Sequence, residues 1–413
     1  MLEYAAFLLL QAIQKLGRYL FEVGPSFLLS GDAYGEYAYL VSLGMLLGTA
    51  ATLGTPLSLL RIIPESLAQG RREHLVAATT RLVFASFLVL AMPLAVWLLS
   101  RHTVAATLAT VGFVLAYALT NSLATFFRAQ QRVKSWFFYQ EMVMPIGTVL
   151  VVGVGTLMLS RDSFTAAAIL GTAVFIGILT VLAIGHQLRQ QFIIRIDGIG
   201  ITALDRQVLA VSLPMFFTGF TYMLLARIDV ILLERFVQRD ELGAYNIIVR
   251  TCLQVAVLWQ LLSSYYVPRI GKLFAEADDR SAARLNQRFT LLSVASTVVL
   301  TLAFIIIVYA ARLHDYLPVW NDDLEIAFLL VLLGQLFAVC FSSYGYILLF
   351  IKKESLNYLN SAVVITLNVG LNILLIPILG VKGAALATLI ALAMMKVMET
   401  AEVYYFRRTL YLR

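Results

Sequence analysis

Residues 226–250 read ARIDVILLERFVQRDELGAYNIIVR, a lipid-length apolar run that carries Arg227 and Asp229 and ends in a short charged turn. An echo lies 208 positions earlier: at that offset Asp32, Gly35, Tyr37 and Val41 of DAYGEYAYLV fall on Asp240, Gly243, Tyr245 and Val249 of DELGAYNIIV. The register runs on without a gap, pairing Arg61 with Arg269, Ile62 with Ile270 and Arg72 with Arg280. Self-similarity at a fixed offset marks an internal duplication. Two related halves in an apolar chain suggest a transporter whose substrate path lies between them.

Of the 413 residues, 61% are hydrophobic and 13% charged, with a mean hydropathy of +0.86. No soluble core needs that much apolar surface, so the chain reads as a polytopic membrane protein. Spans of about 20 residues leave room for roughly a dozen. Alternating strand patterns are absent, and helices then remain as the way to satisfy the backbone in lipid. Apolar runs between charged breaks predict twelve helices at 4–30, 34–60, 74–99, 103–127, 136–159, 163–188, 207–233, 241–267, 287–310, 324–350, 356–379 and 383–406. The break at 189–206, RQQFIIRIDGIGITALDR, is the only one long enough to be a linker, lying in solvent or along the inner membrane surface through its isoleucines. It separates an N-terminal six-helix lobe, 1–188, from a C-terminal one, 207–413. No short cleavable signal precedes the first span, which is expected to be retained.

The net charge of +7 invites a nucleic-acid reading, but its placement argues for topology. Of 31 Lys and Arg, nineteen fall in loops after even-numbered helices or at the C-terminus, six in the alternate loops (Arg161 and Arg312 among them), and six inside spans. The positive-inside bias puts both termini in the cytoplasm and leaves nucleic-acid binding without support. Cys252 and Cys340 both lie in predicted spans, where apolar packing is expected rather than a disulfide. The four histidines, His74, His102, His186 and His314, lack metal or triad spacing, and no ATP-binding loop occurs. No cofactor is expected, and no extramembrane stretch is large enough for an enzyme domain. Arg312 to Glu325, acidic and aromatic, reads as an interfacial anchor.

GDAYGEYAYLVSL near the start, the 226–250 stretch, and NVGLNILLIPILGVKGAALAT near the end resemble the bacterial polysaccharide flippases of the Wzx type. These belong to the multidrug/oligosaccharidyl-lipid/polysaccharide exporter superfamily, with the peptidoglycan-precursor flippases and multidrug extruders. The resemblance spans the whole chain. It implies an all-α fold of about twelve helices in two pseudo-symmetric lobes around a central cavity, in a bacterial or archaeal plasma membrane. It implies as partners membrane lipid and an undecaprenyl-pyrophosphate-linked oligosaccharide moved from inner to outer leaflet, with a coupling cation and polysaccharide-assembly proteins as further ones. Peptidoglycan-precursor flippases typically carry two more helices than the twelve found here. A cation-coupled multidrug exporter shares the fold, and a membrane polymerase or glycosyltransferase is the alternative outside it, although no large external loop or positioned carboxylate pair is visible.

Charges inside a bilayer cost roughly 2.5–3.5 kcal/mol on insertion scales and should face a cavity or each other. Arg18, Arg61 and Arg250 are the candidates for neutralising a pyrophosphate, since a guanidinium forks onto phosphate oxygens. In the peptidoglycan flippases arginines on these helices line the cavity, a likeness that carries over by helix and not by aligned position. Arg18 alternatively pairs with Glu22 one turn on, and Arg61 alternatively belongs to the cytoplasmic basic set. Arg250 sits deep, with Gln254 on its face. Two residues turn a helix by about 200°, so Arg227 and Asp229 cannot share a face. Asp229 needs a partner elsewhere, for which a salt bridge to Arg250 or Arg18 ranks before a coupling-cation site or a substrate contact. Lys396, Glu399 and Glu402 either line a groove or pair together. Asn121, Thr125 and Arg128 form a polar face, Gln140 and Glu141 mark helix five, and Asn368 with Asn372 serve as sugar contacts or packing glue. Gly44, Gly48 and Gly383–Ala384–Ala385 are assigned to close helix packing. Without ATP, transport draws on the potential or an ion gradient; at about 2.3 kcal/mol per charge per 100 mV, an inside-negative potential favours an anion moving outward.

Overall fold

A computed structural model describes residues 2–68, 74–158, 160, 164–190, 192, 202–276, 278–310, 317, 319–341, 343–351 and 353–411. Among these there is no strand. Eleven segments are long and apolar enough to cross a membrane, and the first helix, 2–23, whose side chains up to residue 10 lie outside the described set, precedes them. This is a multi-pass, all-helical membrane protein. Arg71, Arg72, Arg161, Arg195, Arg312, Lys352, Arg413 and His314, the side chains of Arg407 and Arg408, most of the expected linker, and residues 312–316 and 318 of the expected anchor lie outside the described residues.

By packing, the chain divides into two compact units, Met1–Arg227 and Ile228–Arg413. The N-terminal unit holds α1 (Leu2–Val23), α2 (Gly31–Ala51), α3 (Thr55–Ala68), α4 (Leu75–Leu99), α5 (Val104–Ala129), α6 (Val133–Phe137), α7 (Met144–Met158), α8 (Ala166–Arg189) and most of α9 (Ala203–Leu233). The C-terminal unit holds the end of α9, α10 (Arg239–Cys252), α11 (Val257–Ala275), α12 (Asp279–Ala310), α13 (Asp322–Cys340), α14 (Ser343–Phe350), α15 (Glu354–Leu379) and α16 (Val381–Tyr411).

The packing division falls within α9, because the first two dozen residues of that helix are tied to N-terminal elements. Val208 packs in a core with Leu59 and Ile63 of α3, Leu75 of α4, Phe126 and Phe127 of α5 and Leu188 of α8. Ser58 and Ser212 share a buried hydrogen bond. At the start of α9, Thr202 and Asp205 cap reciprocally, the Thr202 N–H donating to Asp205 Oδ2 at 2.7 Å and the Asp205 N–H to Thr202 Oγ1 at 3.2 Å. Arg81 on α4 then forks onto the same carboxylate at 2.9 and 3.1 Å. Burial acts to raise the Asp205 pKa, but the bonds from Arg81 and Thr202 outweigh it and hold the carboxyl below its usual range.

Four of the expected rods are interrupted. Helix two breaks after α2, where Leu53 and Gly54 take positive φ of 49° and 78°. A Cβ on Gly54 would lie 2.4 Å from the Ser212 carbonyl oxygen and 2.6 Å from the Phe216 nitrogen, so only glycine lets the two backbones come so close. Helix five widens into a π turn at Phe138–Val143, helix eight tightens into a 3₁₀ turn at Leu253–Ala256, and helix ten is interrupted between α13 and α14. The architectural glycines behave as expected: a Cβ on Gly44 or Gly48 would strike Phe113 or Tyr117 on α5, and one on Gly383 the Leu375 carbonyl.

Candidate functional site

In the N-terminal unit α1 ends at Val23, leaving its last carbonyls without helical partners. Tyr37 donates to the Phe21 oxygen at 2.7 Å and Tyr34 to that of Glu22 at 3.0 Å, which fixes this end of α1 against α2. The Glu22 carboxylate, 6% exposed, accepts both terminal nitrogens of Arg227 at 2.9 and 2.7 Å, a two-point fork across 205 residues. Arg18 reaches the same carboxylate at 3.6 Å and Glu141, in the π turn, at 3.9 Å. Gln14 donates to the same oxygen of Glu141 at 2.8 Å. The two arginines and two glutamates balance, yet their exposures differ: Arg227 is enclosed, whereas the Arg18 side chain is 40% exposed. Glu22 therefore serves two arginines, and the pairing read from the i, i+4 spacing is its longer contact.

Tyr117, which lies within electrostatic range of Arg18, also lines a cavity of about 160 Å³ with Thr49, Thr52, Asn121, Met215, Phe216 and Phe220. At roughly 30 Å³ per water that space holds a few waters and falls below the 300–1,000 Å³ of ordinary ligand pockets. Asn121 donates to the Tyr117 carbonyl at 2.9 Å, so its amide oxygen is the group turned to other uses. Arg61, 67% exposed, is bonded to Glu65 at 3.0 Å one turn on. Thr125 bonds the Asn121 carbonyl, and Arg128 lies over Trp136, which in turn donates to Gln140.

In the C-terminal unit Asp229, 4% exposed, accepts from the Tyr245 hydroxyl at 3.0 Å and from the Val230 N–H at 2.8 Å. Arg250, 6% exposed, donates through Nε to Asn246 at 3.2 Å, and its charge and that of Asp229 both act on the Tyr245 phenol. Gln254 donates to the Arg250 carbonyl at 3.2 Å. Lys396 and Glu399 pair at 2.8 Å, and Glu402 accepts from Asn360 at 2.8 Å. Asn368 and Asn372 are fully buried and bonded to each other within α15, a packing role.

The sequence reading left Arg227 without a partner and missed Glu141 with Gln14, Tyr245, and the Arg81–Asp205 tie. Only the last carried a local signal, the Thr202-x-x-Asp205 box, since the others join residues far apart in the chain.

Three solved structures share the architecture. A lipid II flippase, MurJ, in an inward closed conformation matches with a TM-score of 0.66 at 12% identity, over 98% of this chain and 88% of that one. An inward-facing multidrug resistance MATE transporter of the MOP superfamily gives 0.64 at 12%, over 97% and 96%. A Vibrio cholerae MATE transporter, VcmN, gives 0.57 at 13%, over 97% and 96%. At such identity the likeness is one of fold. Among curated protein sequences none matches. The model of the polysaccharide biosynthesis protein family matches residues 4–274, well over half of the sequence, and with this fold around its buried arginines the chain belongs to that family.

Proposed function

We propose that this chain is a flippase that carries a polyprenyl-pyrophosphate-linked oligosaccharide from the inner to the outer leaflet by alternating access. The observation that carries the reading is the asymmetry at Glu22: Arg227 neutralises it from within at 2.7–2.9 Å, which leaves Arg18 with only the longer contacts to Glu22 and Glu141, partly exposed and able to turn its guanidinium to an anionic headgroup. Membership of a polysaccharide biosynthesis family supports a sugar-bearing substrate. Arg61, the second exposed arginine, extends the cationic path on α3, and Asn121 offers an amide to sugar hydroxyls. Asp229 and Arg250 are buried on either side of Tyr245, whose bond to Asp229 holds α9 and α10 together; another conformation would release Arg250, with Gln254 one turn on, to the substrate. Lobes at 1–188 and 207–413, joined by 189–206, would rock about the path while the lipid tail stays in the bilayer. The plasma membrane with both termini in the cytoplasm is the setting this mechanism needs.

The test is reconstitution. Purified protein in liposomes should move a fluorescent polyprenyl-pyrophosphate sugar between leaflets without ATP, and Arg18→Ala should slow that transfer at least tenfold with the fold intact. A second reading, multidrug export, draws on the aromatic lining of Phe216 and Phe220. Ethidium efflux with no sugar-lipid transfer would replace the first reading with the second.

A further inference from the structure

α11 and α12 pack against each other in the C-terminal unit, and the stacked rings of Tyr266 and Phe289, 5.7 Å apart, fix their relative level. α12 is polar within and apolar without: Ser293, Thr297 and Thr301 are buried, whereas Leu291, Val299, Leu302 and Ile306 are exposed. A helix of this kind is solvated by lipid on its outer face. Followed toward its N-terminus, that face changes character without turning away. Arg288, Arg284 and Arg280 lie three, seven and eleven residues before Leu291, and all three are exposed. At 100° per residue the three arginines and the four apolar residues occupy roughly a third of the helix circumference.

Depth decides which of them meets a headgroup. The exposed apolar run from Leu291 to Ile307 measures about 24 Å at 1.5 Å per residue, most of a hydrocarbon core about 30 Å thick. The headgroup region adds roughly 5–8 Å on each side. Arg288 then stands about 4–5 Å beyond the last exposed leucine, inside that region; Arg284 stands about 10 Å beyond, where a long side chain reaches back to it; Arg280 stands about 16 Å beyond, in water. Arg269, three residues nearer the turn than Tyr266, falls level with the interval between Arg284 and Arg288 and lies over the ring of Tyr265, an aromatic of the kind found at membrane interfaces. Of the described carboxylates at this turn, Glu276 lies 3.7 Å from Lys272, and Asp278 caps α12 through the Ser281 N–H at 3.0 Å and acts on Arg284 only through space.

We propose that Arg284 and Arg288, with Arg269 at the same level, hold an anionic phospholipid of the leaflet in which α11 and α12 turn, its phosphate on the guanidinium groups and its acyl chains along Leu291 and Leu292. Guanidinium forks match phosphate oxygens, whereas a zwitterionic headgroup would bring a cation of its own toward the arginines. Basic residues that only set topology need no particular face, and lysine would serve them equally. These arginines share the one face that lipid covers. Binding there is independent of the function proposed above.

The experiment is native mass spectrometry of the purified full chain in detergent, titrated separately with phosphatidylglycerol and phosphatidylcholine of the same acyl chains. The parent should prefer phosphatidylglycerol by at least about tenfold, and the preference should shrink as salt is raised. Arg288→Gln and Arg284→Gln should each cut it about fivefold, the effect of one basic residue at an anionic surface, and Arg280→Gln should cut it less. Arg189→Gln, at the exposed end of α8, should leave it unchanged. Equal retention of the two lipids by the parent overturns the proposal, whether or not the variants fold. So does a preference that the Arg284→Gln, Arg288→Gln double variant keeps in full, or one that Arg189→Gln lowers as much. Displacement of the phospholipid by an equal concentration of polyprenyl pyrophosphate would assign the face to the transported substrate instead, and that too overturns it. Unfolding temperatures in detergent alone, expected to match the parent for every variant, separate lost binding from lost fold.

Discussion

The two copies of the duplicated stretch share a scaffold and differ in what they put on it. α2 begins at Gly31 and α10 at Arg239, the same position in both copies, and Tyr37 and Tyr245 are matched and fully buried. Each hydroxyl reaches back to the helix before it, to residue 21 in one copy and to its counterpart 229 in the other. In the first copy the acceptor is the Phe21 backbone carbonyl, at 2.7 Å; in the second it is the Asp229 carboxylate, at 3.0 Å. Further along, Ser42 stands where Arg250 stands, and its buried hydroxyl has no partner. The N-terminal copy therefore gives its tyrosine an uncharged partner and gathers charge around Glu22, while the C-terminal copy places charge within the repeat itself. Duplication supplied the frame, and a few side chains gave each half its own electrostatics.

The sharpest way to break this contrast is at Glu22. Arg227→Ala leaves a buried carboxylate without its fork and should cost about 3–5 kcal/mol in thermal unfolding. Arg227→Met with Glu22→Gln should recover most of that loss, and a single variant as stable as the parent would show the pair to be idle. The matched tyrosines come next. Tyr245→Phe removes a donor to a carboxylate and should cost about 1.5–3 kcal/mol, against about 0.5–1.5 kcal/mol for Tyr37→Phe, which removes one to a carbonyl. Equal losses would erase the distinction between the copies. Ser42→Ala should be neutral or stabilise by up to about 1 kcal/mol, because it removes an unmet buried hydroxyl, whereas Arg250→Ala removes the Nε donor to Asn246 and should destabilise. The smallest effect is at Asp205, whose tie exists in the N-terminal unit alone. Its carboxyl titrates below the unfolded value of about 3.9, so its stabilisation is complete above that pH and is lost as pH falls through the folded value. The parent should lose Tm below about pH 4, and Asp205→Asn should flatten that part of the profile.

Hydropathy was enough to place the spans, because lipid-length apolar runs bounded by charge have few alternatives; Leu75–Leu99 and Val104–Ala129 differ from expectation by at most two residues at either end. Helical phase was enough to separate Arg227 from Asp229, and their partners do lie in different places, Glu22 for one and Tyr245 for the other. It was not enough to choose Glu22 for Arg227, since nothing local links residues 205 apart. Nor did apolar runs reveal the breaks in helices two, eight and ten, because hydropathy is continuous through them and only backbone angles record the change. The exposed position of Arg18 beside a buried neighbour pair needed three dimensions for the same reason.

The pair of left-handed residues at Leu53 and Gly54 carries one more consequence. A straight rod keeps a single clock: knowing which way one side chain points tells the hour of every other. Two such residues reset it, so α3 runs on its own time, and the facing of Arg61 cannot be counted off from Tyr37. In the other copy the reset comes at Leu253–Ala256, opposite Met45 to Gly48 and thus several residues earlier in the repeat. Letters that align beyond it, Arg61 and Arg269, therefore share an ancestor position without sharing a compass bearing: the first bonds Glu65, and the second lies over the Tyr265 ring.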